Sequence, residues 1–101
     1  MKTTTTDIEK IKNVIEGHLG FLRDTYNVET IGVFGSVARG ENLKTSDIDM
    51  IVEFSEPISF FKFIELEEFL SKILGKKVDL VTKKALKNPI KEEVLKEAIY
   101  V

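Results

Sequence analysis

Asp47 and Asp49 stand two residues apart in the run Ser46-Asp47-Ile48-Asp49-Met50-Ile51-Val52. The run alternates as a β-strand does, and on a strand residues i and i+2 project from one face about 6.5–7 Å apart. The two carboxylates then share a face, while Ile48, Met50, Val52 and Phe54 take the opposite, buried one. Two carboxylates held this close repel each other, and a cation between them relieves the repulsion. Oxygen donors without thiolate or imidazole suit Mg²⁺ or Mn²⁺, ions that keep waters and take further oxygens from phosphates. Taken alone, Asp-x-Asp is a weak signal, since a turn at Ser46-Asp47 followed by a solvated Asp49 accounts for it equally well.

Gly35-Ser36 changes the balance. It follows the apolar run Ile31 to Phe34, expected as a strand, and a glycine there lets the chain turn sharply and a ligand approach closely. Ser36 then opens a short turn whose amides and hydroxyl can hold a phosphate. The segment GSVARG has neither the Lys-Ser/Thr of a P-loop nor the longer GxGxxG of a dinucleotide fold. A plain glycine turn is the ordinary reading of Gly-Ser; its placement between two strands is what strengthens the functional one. A third carboxylate comes from Lys77 to Thr82, where Asp79 and Val81 share a face opposite Val78 and Leu80. If that strand lies beside Asp47 to Phe54, Asp79 joins the other two; otherwise it is a solvated strand residue. Three carboxylates from adjacent strands match a two-metal centre.

The elements that must position these groups fit one domain, residues 1–101. Net charge is -2, which gives no electrostatic case for non-specific nucleic-acid binding. There is no cysteine, so disulfides and thiolate metal sites are excluded. No apolar h-region or membrane-length apolar run occurs, and the expected setting is cytoplasmic, away from any membrane. Thr6 to Glu9 reads as a capping box opening a helix with Ile8, Ile11, Val14, Ile15, Leu19 and Leu22 on one stripe. Gly17 and Gly20 each cost that helix about 1 kcal/mol relative to alanine, which weakens its second half. His18, the sole histidine, has no partner ligand and is assigned no function. A turn at Asn27 to Thr30 leads into the strand Ile31 to Phe34, and the next strand is Asp47 to Phe54, broken by Glu56-Pro57. A helix from about Ser59 to Leu74 ends at Gly75, followed by the strand Lys77 to Thr82. Asn88-Pro89 supplies an N-cap and a proline at the first helical position, and the last helix runs from Ile90 to about Tyr100. Of Phe60, Phe61 and Phe63, at least two are expected in the core and one at a partner interface. The order α-β-β-α-β-α gives the class α/β (α+β), a small mixed sheet of about three strands covered by helices on one face.

Gly35-Ser36, ten intervening residues, Asp47-Ile48-Asp49, and Asp79 on a later strand resemble the signature of the DNA polymerase β nucleotidyltransferase superfamily. The form GSVARG with Arg39 and Gly40, the continuation SDIDMIV and the short chain resemble the minimal nucleotidyltransferase (MNT) subfamily over nearly the whole length. The resemblance implies a polymerase β-like fold and transfer of a nucleotide from ATP. It implies that Asp47 and Asp49 hold two Mg²⁺ ions (or Mn²⁺), and that Asp79 holds the one that activates the attacking hydroxyl. Gly35 and Ser36 would hold the terminal phosphates. Arg39 would add a charge-assisted contact or be a surface arginine.

The chain leaves no residues for a second substrate domain, which argues for an acceptor brought by another macromolecule. The resemblance implies a cognate HEPN-domain ribonuclease toxin, AMP transfer to one of its tyrosines, an antitoxin role and a hetero-oligomer with that toxin. A non-catalytic module that neutralises its partner by complex formation is the competing class. Transfer to a nucleic-acid end is disfavoured by the acidic balance and the small size.

Overall fold

The computed structural model describes residues 4–40 and 47–101, with side chains from residue 8 onward. The chain opens with helix α1 (Thr4–Glu16) and helix α2 (Leu19–Tyr26), where the apolar stripe predicted one continuous helix. The break falls at Gly17 and His18, where glycine weakens the helix most. The His18 amide bonds back to the Ile15 carbonyl (2.9 Å), and its ring bonds the Val14 carbonyl (2.8 Å) and meets the Phe69 ring edge-on. Helix α1 starts at Thr4, so Thr6 lies within it and not at its N-cap; the Thr6 side chain of the expected capping box is outside the described residues.

Strand β1 (Val28–Phe34) starts three residues before its predicted onset, because Asn27 takes a left-handed conformation (φ 57°) and ends α2 in one residue. A single turn of helix, α3 (Gly35–Ala38), follows. Strand β2 (Ile48–Phe54) leads to helix α4 (Phe60–Leu74), strand β3 (Val78–Thr82), a 3₁₀ turn (Lys83–Ala85), helix α5 (Ile90–Glu97) and the short strand β4 (Ile99–Tyr100). Residues 41–46, including the Ser46 of the expected turn, lie outside the described residues. Helix α4 is bounded as its sequence predicts. The Ser59 hydroxyl accepts from the Lys62 amide (3.1 Å), and Gly75 closes the helix at φ 70°.

The sheet has the order β3-β2-β1-β4. Strand β2 runs antiparallel to β1 and parallel to β3, and β4 pairs antiparallel with the outer edge of β1. One face carries Ile31, Val33, Met50, Val52, Val78 and Leu80 into a core completed by α1, α2 and α4, where Leu66 and Leu70 have no exposure. The second face carries Asp49 and Asp79 and is not wholly bare. Ile51 on that face and Val94 of α5 are buried outside the main cluster. At the β3 edge, the Ser71 hydroxyl and the Glu67 carboxylate accept from the Val78 and Leu80 amides, both at 2.9 Å.

Further sequence expectations are corrected. The last helix ends at Glu97, not near Tyr100, and the sheet has four strands rather than about three, because Ile99–Tyr100 pair with Gly32 and Val33. Tyr100 lies against Gly32, where an added Cβ would sit 3.0 Å from the ring. At the start of α4, Phe60 and Phe61 are both exposed (72% and 83%) and only Phe63 packs on the core, so two of the three rings are outside it, not one. Among the described residues no helix is long and apolar enough to cross a membrane.

Truncating Leu66 to alanine is expected to cost about 2–5 kcal/mol, since it leaves a cavity in a fully buried layer. Ser59→Ala, which removes only the cap, should cost about 1 kcal/mol. Urea unfolding of the two variants checks both the size and the order.

Candidate active site

The strand register brings the predicted carboxylates together. In the parallel pair, Asp49 lies directly beside Asp79, and in the antiparallel pair it lies beside Phe34, the last residue before Gly35. Neighbouring strands are about 4.8 Å apart, so the Asp49 and Asp79 side chains rise from one face as close neighbours. Asp47 precedes β2 and is exposed, and the Ile48 amide bonds the Lys77 carbonyl (2.9 Å) to hold that end of the strand beside β3. Asp79 is exposed and Asp49 half-buried.

The Gly35-Ser36 turn is fitted to these acids. Gly35 has φ 78°, a conformation that costs other L-residues about 1–2 kcal/mol. There is also no space for a side chain, because a Cβ at Gly35 would run into the Asp49 carboxylate. Glycine is therefore required twice, by backbone conformation and by contact. Ser36 is half-buried, and among the described residues its hydroxyl makes no hydrogen bond.

Arg39 and Gly35 share a partner that sequence reasoning missed. Glu97 accepts from the Gly35 amide (2.9 Å), and both its oxygens lie 3.2 Å from one Arg39 guanidinium nitrogen. In sequence, Glu97 is one of several acids on a charged helix. Its only signal is the Ala98-Ile99-Tyr100-Val101 ending, which suits a strand.

Burial is the main cause that pushes the Asp49 carboxyl above its usual range. The Asp79 and Asp47 carboxylates and Glu97 push the same way, while the Arg39 charge opposes them. A half-buried carboxylate among like charges is a site that a cation would relieve. Asp47, Asp49 and Asp79 offer hard oxygen donors of the kind Mg²⁺ takes, so the residues present fit that ion in chemistry. Among the described residues no three acidic or imidazole side chains are gathered tightly enough to hold a metal alone. Mg²⁺ commonly completes its shell with waters and substrate phosphates rather than an all-protein cage.

A roomier groove among the described residues lies elsewhere. It has a volume of about 620 Å³, is lined by Phe54, Phe60, Phe63, Thr82 and Lys83, and sits at the far end of β2 from the aspartates. The carboxylate with the raised pKa and the Gly35-Ser36 turn lie together at the opposite end, which makes that end the candidate site.

A glycine turn after one strand lies beside aspartates on the next two, on a small mixed sheet. The family model of the nucleotidyltransferase domain matches residues 15–101, and the chain belongs to that family. Within it, the chain is 48% identical over 94 residues to the protein adenylyltransferase MntA of Thermococcus cleftensis, covering 93% of this chain and 95% of that protein. A solved structure described as a candidate minimal nucleotidyltransferase is 35% identical, with a TM-score of 0.79 over 91% of this chain and 93% of the other. A toxin–antitoxin crystal structure with AMP-PNP is 27% identical, with a TM-score of 0.71 over 87% of this chain and 69% of that one.

A carboxyl with a raised folded pKa binds more protons in the folded state. Its contribution to stability therefore falls as pH rises from the unfolded value, about 3.8, through the raised one. Asp49→Asn is expected to melt at or above the wild-type temperature at neutral pH without divalent ions, with the difference shrinking on acidification through that window. Gly35→Ala should lose at least about 1–2 kcal/mol from its backbone conformation alone. Thermal melts across pH 3–8 check both.

Proposed function

We propose that this protein is a Mg²⁺-dependent protein adenylyltransferase that moves AMP from ATP to a tyrosine hydroxyl of a cognate HEPN-domain toxin, and so acts as its antitoxin. The observation that carries this is the register that sets Asp49 beside Asp79 and against the Gly35 turn, with Asp47 adjoining. The 48% identity to a protein adenylyltransferase supports the choice of a protein acceptor. The tyrosine and the HEPN partner rest on the resemblance of the GSVARG and SDIDMIV motifs to the minimal subfamily. The working unit is the single domain of residues 1–101, in the cytoplasm, where ATP is the abundant donor.

In the proposed reaction the tyrosine oxygen attacks the α-phosphorus of ATP. The bond from that phosphorus to the bridging oxygen breaks, pyrophosphate leaves with the electron pair, and the phenolic proton passes to solvent. Asp47 and Asp49 would hold both metal ions and Asp79 the one nearer the attacking hydroxyl. When bound, the ions supply a lowered hydroxyl pKa and neutralise charge on the departing pyrophosphate. Ser36 offers a hydroxyl to the terminal phosphates, and the turn from Gly35 keeps bulk away from the Asp49 carboxylate. Arg39 is placed beside the turn, where its charge favours phosphate, with Glu97 as its partner in this structure.

One observation favours a second reading. Phe60 and Phe61 are exposed side by side, with ring centroids 6.3 Å apart, and suit a surface that binds a partner without chemistry. A stoichiometric antitoxin would use that surface and leave the nucleotide site idle or regulatory.

Incubated with MgATP and the toxin encoded beside it, the protein should add the mass of one or more AMP groups to the toxin by intact-mass spectrometry. Asp47→Asn, Asp49→Asn and Asp79→Asn should each lower the rate at least about 100-fold with the fold kept, because loss of a mere supporting group around a metal already costs 10–100-fold. If the Asp47→Asn/Asp49→Asn double variant still modifies the toxin, the catalytic assignment is wrong. If it fails to modify but fully neutralises, the stoichiometric reading replaces it.

A further inference from the structure

Glu97 ties together the two ends of α3. Its carboxylate takes the amide of Gly35, the first residue of that helix, and pairs with Arg39, which caps the other end. A four-residue helix has little stability of its own, since nucleation costs more than one turn returns. Phe34 at the N-cap supplies no side-chain acceptor, so Glu97 does that work from a distant part of the chain. Val37 is buried and anchors the middle of the turn, which leaves its ends for Glu97 to fix.

The pairing of β4 with β1 explains how Glu97 arrives there. Gly32 pairs with Tyr100 and Val33 with Ile99, and the Val101 amide bonds the Ile31 carbonyl (3.0 Å). Gly35 directly follows β1 and Glu97 stands two residues before β4, so the pairing carries the two segments to the same end of the sheet. The pairing thus brings the end of α5 to the start of α3, and the Glu97 side chain makes the contact.

We propose that Glu97 is a positioning residue for nucleotide binding: by clamping Gly35 and Arg39 it holds Ser36 and the turn around it in the conformation that receives the triphosphate. This rests on Gly35-Ser36 being the phosphate turn. It predicts an effect opposite in sign to bulk electrostatics. Glu97 adds a negative charge beside Asp49, so its removal should favour a polyanion if charge alone mattered. If the carboxylate instead held the turn in shape, its removal would weaken binding.

The test is the dissociation constant for MgATP, measured by calorimetry on the wild type, Glu97→Ala and Glu97→Asp, with a melting temperature recorded for each. Titrations are run well below the lowest melt, so that a loss of stability alone does not move the constant. Glu97→Ala should bind about tenfold more weakly, the size expected when a charge-assisted hydrogen bond is lost. Glu97→Asp keeps the charge but shortens the reach, and should also weaken binding, by less. Exchange of the Gly35 amide with solvent should quicken in both variants. Binding by Glu97→Ala as tight as wild type, or tighter, overturns the clamp. Should that variant not fold, wild-type affinity in Glu97→Asp overturns it instead. If the wild type itself does not bind MgATP, the nucleotide assignment fails and takes the clamp with it, whereas binding by the wild type and equal binding by both variants removes the clamp alone.

Discussion

The contact between the Asp49 carboxylate and the bare α-carbon of Gly35 is the constraint around which this small protein is arranged. A carboxylate that is half-buried and has acids for neighbours is unfavourable, and it stays in place because the strands under it cannot shift. Strand β2 is central, paired on both sides, with Met50 and Val52 fixed in the core beneath. Asp79 comes beside Asp49 on a strand that runs parallel to β2, and a parallel neighbour requires a crossover. Helix α4 is that crossover, and its buried Leu66 and Leu70 supply much of the apolar area that holds the sheet. The acids therefore depend on core packing on the opposite face of the same strands.

Charge at the site is not simply accumulated. Burial and Asp79 raise the Asp49 carboxyl, and Arg39 partly offsets them. Arg39 is in turn held by Glu97, which arrives from the far end of the sequence. Asp47, Asp49, Asp79, Arg39 and Glu97 thus form one electrostatic group drawn from four separate segments. A change at any one of them alters the field felt by the rest, so single substitutions here are not expected to add independently.

Much of the site was legible from local pattern, because alternation along a strand decides which side chains share a face. Asp47, Asp49 and Asp79 could be placed on one side of the sheet from Ile48, Met50, Val78 and Leu80 alone. Local pattern cannot say which strands are neighbours, so the juxtaposition of Asp79 and Asp49 was conditional until the register was known. Ile99 continues the apolar stripe of the last helix, so helical periodicity ran through the true boundary, where pairing with Gly32 and Val33 overrides it. For the same reason Glu97 looked like one more solvated acid. Phe60 and Phe61 show the opposite failure. At least two of the three rings near Ser59 were expected in the core, but Phe60 and Phe61 both sit exposed at the very start of α4 and only Phe63 packs inward. The break at Gly17 was signalled by glycine cost, although a broken stripe and a weak one look alike in sequence.

The edges of the sheet have a consequence for how a partner can be met. On β3 the amides of Val78 and Leu80 are already taken by Ser71 and Glu67, so an incoming strand would have to displace bonds that exist. On β1 the outer edge is occupied by β4 beside Gly32 and Val33, and the register irregularity between Val28 and Thr30, with exposed Glu29, disrupts the remainder. Such features discourage both self-association into extended ribbons and recognition by strand addition. Along β3 and β1, a protein that binds this domain is therefore better met by side chains, on a helix or on the acidic face, than by one more strand.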